Sequence, residues 1–177
     1  MDKFTLANLK ETLSQKTKDE LIQEISTLYE NFSQVKDYYK AQGSDTKKVV
    51  KRYKDIIEKE FIEGKTRGLP KARLSVARKA ITDFKKITHD PELIAEVMFT
   101  YVESISWFNN AYCVDTEKYY NSSENMFEDV LKLLKKNNIL DKFEKKAHKI
   151  VKKATDSYGY QDTLQERYEE VYGEFKV

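Results

Sequence analysis

Every residue in this 177-residue chain that breaks helices sits in a gap between stretches of helical hydrophobic periodicity. The five glycines are Gly43, Gly64, Gly68, Gly159 and Gly173, and the two prolines are Pro70 and Pro91. Glycine leaves the backbone too free for a helix interior, and proline lacks the amide hydrogen; both suit helix ends and starts. A chain that confines them this strictly is predicted to be all-α. No segment alternates apolar and polar residues convincingly over six positions, so no sheet is predicted.

The periodic segments follow in order. A first helix spans 4–14 and carries Phe4, Leu6, Leu9 and Leu13. Thr17-Lys18-Asp19-Glu20 has capping-box spacing and opens a second helix, with Leu21, Ile22, Ile25, Leu28 and Tyr29 on one face. Ser33 caps a short third helix bearing Val35, Tyr38 and Tyr39. Gly43-Ser44-Asp45 ends it and caps a fourth, 46–62, which turns Val49, Tyr53, Ile56, Ile57 and Phe61 inward. Residues 63–70 form a loop before a fifth helix, 71–88, with Leu74, Ala77, Ile81, Phe84 and Ile87 in register. Asp90 caps a sixth helix, 91–113, with Pro91 in its first position. This helix is apolar on most sides, which predicts a central position. Asp115 caps a seventh, 116–136; an eighth covers 139–156; after a turn at Tyr158-Gly159-Tyr160, a ninth starts near Asp162. The expectation is one domain over 1–177 of eight or nine helices, divided by the basic loop 63–70. It is either an irregular bundle or a HEAT-like stack of helical hairpins, because the fifth and seventh helices start about 45 residues apart.

At 40% hydrophobic residues the chain can bury a core and is too apolar for intrinsic disorder. No apolar run is long enough to cross a bilayer, and Met1-Asp2-Lys3-Phe4 leads straight into an amphipathic pattern, so a soluble cytoplasmic protein is expected. A single cysteine, Cys113, rules out an internal disulfide; late in an apolar helix, it reads as a buried, inert thiol.

The net charge of +2 conceals an alternation. Residues 1–46 carry 6 basic and 8 acidic side chains, 47–88 carry 14 and 5, 89–129 carry 1 and 9, 130–153 carry 9 and 2, and 154–177 carry 2 and 6. Acidic and basic helices either lie side by side and pair, which is the favoured reading, or the basic ones share a face for an anionic partner.

Catalytic and metal motifs are weak. Asp141, Glu144 and His148 share a side of the eighth helix, but di-iron bundles need a Glu-x-x-His motif on two helices; a solvated face is expected, and neither metal nor cofactor. His89 is a boundary residue. No nucleophile elbow exists, and Cys113 has no neighbouring histidine. Gly64-Lys65-Thr66 echoes the end of a phosphate-binding loop without its leading glycine or strand. The most usable signal is the basic cluster Lys65, Arg67, Lys71, Arg73, Arg78 and Lys79, which would suit phosphates. Aromatic interleaving for single strands is absent there, and pairing with acidic helices is favoured. A second cluster, Trp107, Asn109, Asn110 and Tyr112 with Tyr119, Tyr120 and Asn121, sits at one helix junction, and Tyr158, Tyr160 and Asp162 at another. Tyrosine has an apolar ring and a polar tip, suiting both interfaces and the margin of a core.

The segments Lys18–Tyr29, Lys71–Ile87 and Tyr158–Tyr172 together resemble a family of small bacterial proteins catalogued only as a domain of unknown function. The likeness covers nearly the whole chain and is most specific over Leu74-Ser75-x-Ala77-Arg78-Lys79-Ala80-Ile81. It implies a wholly helical, stand-alone domain and carries over no activity or catalytic residue. The favoured function is therefore a non-enzymatic scaffold or adaptor that binds a protein partner, a second copy of itself included. The alternative is nucleic-acid binding through 65–79 and 130–153. An enzyme is the third reading, with a pocket assembled from distant residues such as Asn109, Tyr112, Tyr158 and Asp162.

Overall fold

Asp90 and Pro91 begin the longest helix, and the rest of the core forms around it. In the computed structural model, which describes residues 4–43, 45–63, 65–66 and 68–176, the elements run α1 (Leu6–Ser14), α2 (Lys18–Asn31), α3 (Ser33–Ala41), α4 (Thr46–Glu58), a π-helical turn (Lys59–Glu63), β1 (Lys65–Thr66), β2 (Leu69–Pro70), α5 (Leu74–Ile87), α6 (Pro91–Tyr112), α7 (Glu117–Lys136), α8 (Leu140–Lys153), a 3₁₀ turn (Ser157–Gly159) and α9 (Tyr160–Tyr172). The chain is all-α apart from a two-residue antiparallel ladder in the loop, where Lys65 faces Pro70 and Thr66 faces Leu69. Asp90 accepts from the amides of Glu92 and Leu93, and Pro91 occupies the first helical turn. The Thr17–Glu20 capping box is present, and Thr5 and Asn8 form a second one at the start of α1.

Three expected caps work differently. Ser33 lies inside α3, whose N-cap is Phe32. Asp45 is the N-cap of α4 but makes no capping bond and pairs with Lys48 instead. Asp115 does not cap α7; the N-cap is Thr116, and Asp115 accepts a hydrogen bond from the Tyr158 hydroxyl.

α6 buries residues on all but one polar edge. Phe99 stacks on Phe143 of α8 (5.7 Å, 24°) and meets Phe127 of α7 edge-on (6.4 Å). Phe61, in the π-helical turn, contacts Tyr101 and Phe108. Tyr53 of α4 packs on Phe84 of α5. Among the described residues, each substantial helix contact joins helices that are neighbours or next-but-one in the chain: α3 on α4 and α5, α4 on α5 and α6, α6 on α7 and α8, α7 and α8 on α9. The helices thus stack in chain order as one bundle, with α6 against α4, α5, α7 and α8. α6 lies near the middle of the stack, α2 at one end and α9 at the other, while α1 makes no substantial contact with another described element.

The charge alternation is resolved between helices. Glu92, Glu96 and Glu103, the polar edge of α6, pair with Lys142 of α8, Lys54 of α4 and Lys146 of α8. Arg52 of α4 pairs with buried Asp37 of α3, and Arg167 of α9 lies 4.0 Å from Glu128 of α7.

One further expectation is corrected. Cys113 is exposed, not buried. It is the C-cap of α6 in the left-handed conformation (φ 45°), so the chain leaves the helix there and the thiol faces solvent. The apolar stripes of α1 and α2 do not join the core, and neither helix contains a buried residue.

Phe99→Ala is expected to lower stability by about 3–5 kcal/mol, while Leu69→Ala on the exposed ladder should stay within about 0.5 kcal/mol; urea unfolding decides. Ellman's reagent should titrate Cys113 in the folded protein. Reaction only after denaturant is added would show the thiol to be covered.

Candidate functional site

The N-terminal end of the stack exposes more large apolar surface than any other region. Phe4 is 70% exposed, Leu6 66%, Ile22 52% and Phe32 57%; Leu9, Ile25, Leu28, Tyr38 and Tyr39 are exposed too. Their placement follows from the local sequence. The Thr5 and Thr17 capping boxes start the two helices, with Thr17 N donating to Glu20 Oε2 at 2.8 Å. The spacing Ile22, Ile25, Tyr29, Phe32 then keeps one stripe in line along α2. Tyr29 meets Tyr39 edge-on (6.2 Å), and Tyr39 meets Tyr38 (5.3 Å, 87°). Two grooves border this aromatic cluster. One, of about 410 Å³, lies among Ile25, Ser26, Tyr29, Glu30 and Tyr39. The other, of about 320 Å³, lies between α3 and α5 and is lined by Val35, Tyr38, Tyr39, Asp83, Lys86 and Ile87.

The basic cluster is largely occupied within the fold. Arg73 grips buried Glu60 with two hydrogen bonds, Nε to Oε2 at 2.9 Å and Nη2 to Oε1 at 2.6 Å. These bonds hold the Glu60 carboxyl below the usual glutamate range. Arg78 donates to Ser122 Oγ (2.7 Å) and to the Tyr101 hydroxyl (3.3 Å). Lys79 and Lys86 share Asp83, whose carboxyl their hydrogen bonds and charges hold low, that of Lys79 most. Lys71 is exposed. The side chain of Lys65 and the whole of Arg67 lie outside the described residues. The segment is thus a clamp closing the loop: the Ala72 amide donates to Glu60 O at 2.7 Å, and the Tyr119 hydroxyl donates to Ala72 O at 3.3 Å.

The aromatic and amide candidates separate. Trp107 and Asn110 line a cleft of about 220 Å³ between α6 and α8 with Glu103, Ser106, Lys149 and Lys153, and Asn110 Nδ2 donates to Lys153 O at 2.9 Å. Tyr112 packs against Trp107 (6.0 Å) and Phe108 (5.4 Å). Asn109 is buried toward the core, with neither amide atom bonded to another protein group. Tyr160 is fully buried, its hydroxyl 2.6 Å from Ser123 Oγ, and burial pushes that phenol well above its ordinary range. Tyr158 lies on the surface against Tyr120, and Asp162 is exposed on α9. The distant residues suggested for an enzyme pocket therefore do not share the α6–α8 cleft. His148 is stacked on Phe175 (4.5 Å, 23°), with Nε2 2.6 Å from Lys176 O, so the C-terminal tail covers it. No group of three or more potential metal ligands occurs among the described residues, and no described helix is long and apolar enough to cross a membrane.

The apolar end was missed in the sequence because a stripe made for a partner and a stripe made for the core have the same period. The only available signal was its nearness to the N-terminus.

Glu60→Gln is expected to lower stability by about 2 kcal/mol at pH 7, since it removes the charge that Arg73 grips. Glu60 is depressed in the folded state, so its contribution is present above the ordinary value of 4.5 and is lost as pH falls through the folded value. Wild type and variant should converge once the pH falls below the folded value; a difference in urea unfolding that stays constant as the pH is lowered would assign the effect to packing.

No characterised protein and no solved structure matches this chain. The family of unknown function DUF6155 matches it over residues 4–176, and the chain belongs to that family.

Proposed function

We propose that the protein is a non-enzymatic helical adaptor that binds a protein partner through the apolar face of α1–α3. The observation that carries this reading is the pair of amphipathic helices, α1 and α2, that have apolar stripes and no buried residue. α1 has 9 residues and α2 has 14. Helices this short are marginal in water unless their apolar face is packed, since nucleation is costly and few hydrogen bonds offset it. A partner that covers the stripe would supply the missing packing. Tyrosine and phenylalanine at the centre of the face suit protein recognition, giving large contact area at low side-chain entropy.

The nucleic-acid reading through 65–79 and 130–153 gains less support. Arg73, Lys79, Lys86, Lys132, Lys142 and Lys146 all hold carboxylates within the fold. An interface to phosphates would have to give up those pairs or rely on the remaining lysines.

A photo-reactive amino acid at Ile22 or Phe32 is expected to crosslink to protein in the cells that make this chain, whereas the same probe at Lys135 should not. Equal, sparse labelling at all three positions would remove the adaptor reading.

A further inference from the structure

The two ends of the stack differ. At the C-terminal end, α9 turns Asp162, Glu166 and Glu170 outward, and the tail folds back so that Phe175 packs on His148 and Tyr168. That end is closed and polar. Stacked-hairpin proteins need such polar caps at both termini, because an end layer otherwise leaves its apolar face in water. Among the described residues nothing covers the N-terminal end: α2 exposes Ile22, Ile25, Leu28 and Phe32, continuous with Tyr38 and Tyr39 on α3, and α1 beyond it exposes Phe4, Leu6 and Leu9.

Resting on the proposed adaptor reading, we infer that the occupant of this face is a second copy of the chain, joined head to head through α1–α3 in a closed two-fold dimer. Area gives the first argument. Four aromatic and five Leu or Ile residues, each about half exposed, at ~150–250 Å² for a whole aromatic residue and less for an aliphatic one, amount to roughly 700 Å². That is about what one partner contributes to a standard interface of about 1,600 Å². Charge gives the second. Residues 4–40 carry Lys10, Lys16, Lys18, Lys36 and Lys40 against Glu11, Asp19, Glu20, Glu24, Glu30 and Asp37. A surface with both signs nearly balanced meets its own copy without net repulsion, whereas a strongly charged partner would find nothing complementary. Closure is the third. The opposite end is polar and capped, so a head-to-tail contact has no apolar face to receive α1–α2. An isologous contact buries both apolar ends and stops at two copies.

The test is the mass of the full-length protein in solution by light scattering after size exclusion, from about 1 to about 100 μM. Twice the monomer mass is expected. Ile22→Glu and Ile25→Glu should each weaken association by about 30-fold or more. Their helical circular dichroism and melting, compared at concentrations where wild type is dissociated, should be unchanged, because neither residue belongs to the core. A wild type that stays monomeric throughout overturns the inference, and so does a dimer indifferent to both substitutions. Crosslinks from Ile22 to a different protein, with a monomeric wild type, would leave the adaptor reading standing and remove self-association; a monomer with no crosslinks would remove both.

Discussion

Burial of α6 on all but one polar edge is the constraint from which the other packing follows. A helix of 22 residues that presents Val97, Met98, Phe99, Tyr101, Val102 and Ile105 around its circumference cannot be half-solvated. It has to be enclosed, and α4, α5, α7, α8 and the π-helical turn enclose it. Each fully buried aliphatic or aromatic side chain contributes roughly 1.5–3 kcal/mol, and α6 supplies more buried apolar side chains than any other described helix. The stacked order follows: the layers before α6 pack on one flank, those after it on the other.

Polar groups near α6 are matched to their surroundings. Its three glutamates lie at the edges and meet lysines from α4 and α8, so the charge blocks serve as a registry between adjacent helices. Exposed pairs of this kind contribute little to stability individually, but wrong pairings of acidic with acidic helices would be repelled. Inside, Tyr101, Ser122 and Arg78 form one polar network, and Tyr160 and Ser123 another. The high tyrosine content is partly explained here, because a buried tyrosine fills a large volume while its hydroxyl satisfies a nearby donor or acceptor.

The contrast between the two ends of the stack carries the functional reading. Phe175 and His148 seal one end, and none of the described residues seals the other. The same physical rule, that apolar surface leaves water when a mate is available, explains the enclosure of α6 and the expectation that α1–α3 are covered.

Helix number, most boundaries and the central role of α6 were legible because they depend on local periodicity and on caps such as Asp90-Pro91 and Thr17–Glu20. Cys113 was misread because its burial depended on where the helix ended and the chain turned. Lys79 was legible as basic, but its pairing with Asp83 required the two to face each other in a settled helix. Arg78 reaching Ser122, and Arg73 reaching Glu60, join segments 44 and 13 residues apart, and no spacing rule announces such contacts. By itself, the sequence determined that the chain is helical and where its apolar stripes run, because those properties follow from the backbone and the 3.6-residue period. Only the tertiary structure decided which stripes are covered by the chain and which remain open, because coverage depends on what another segment places opposite them.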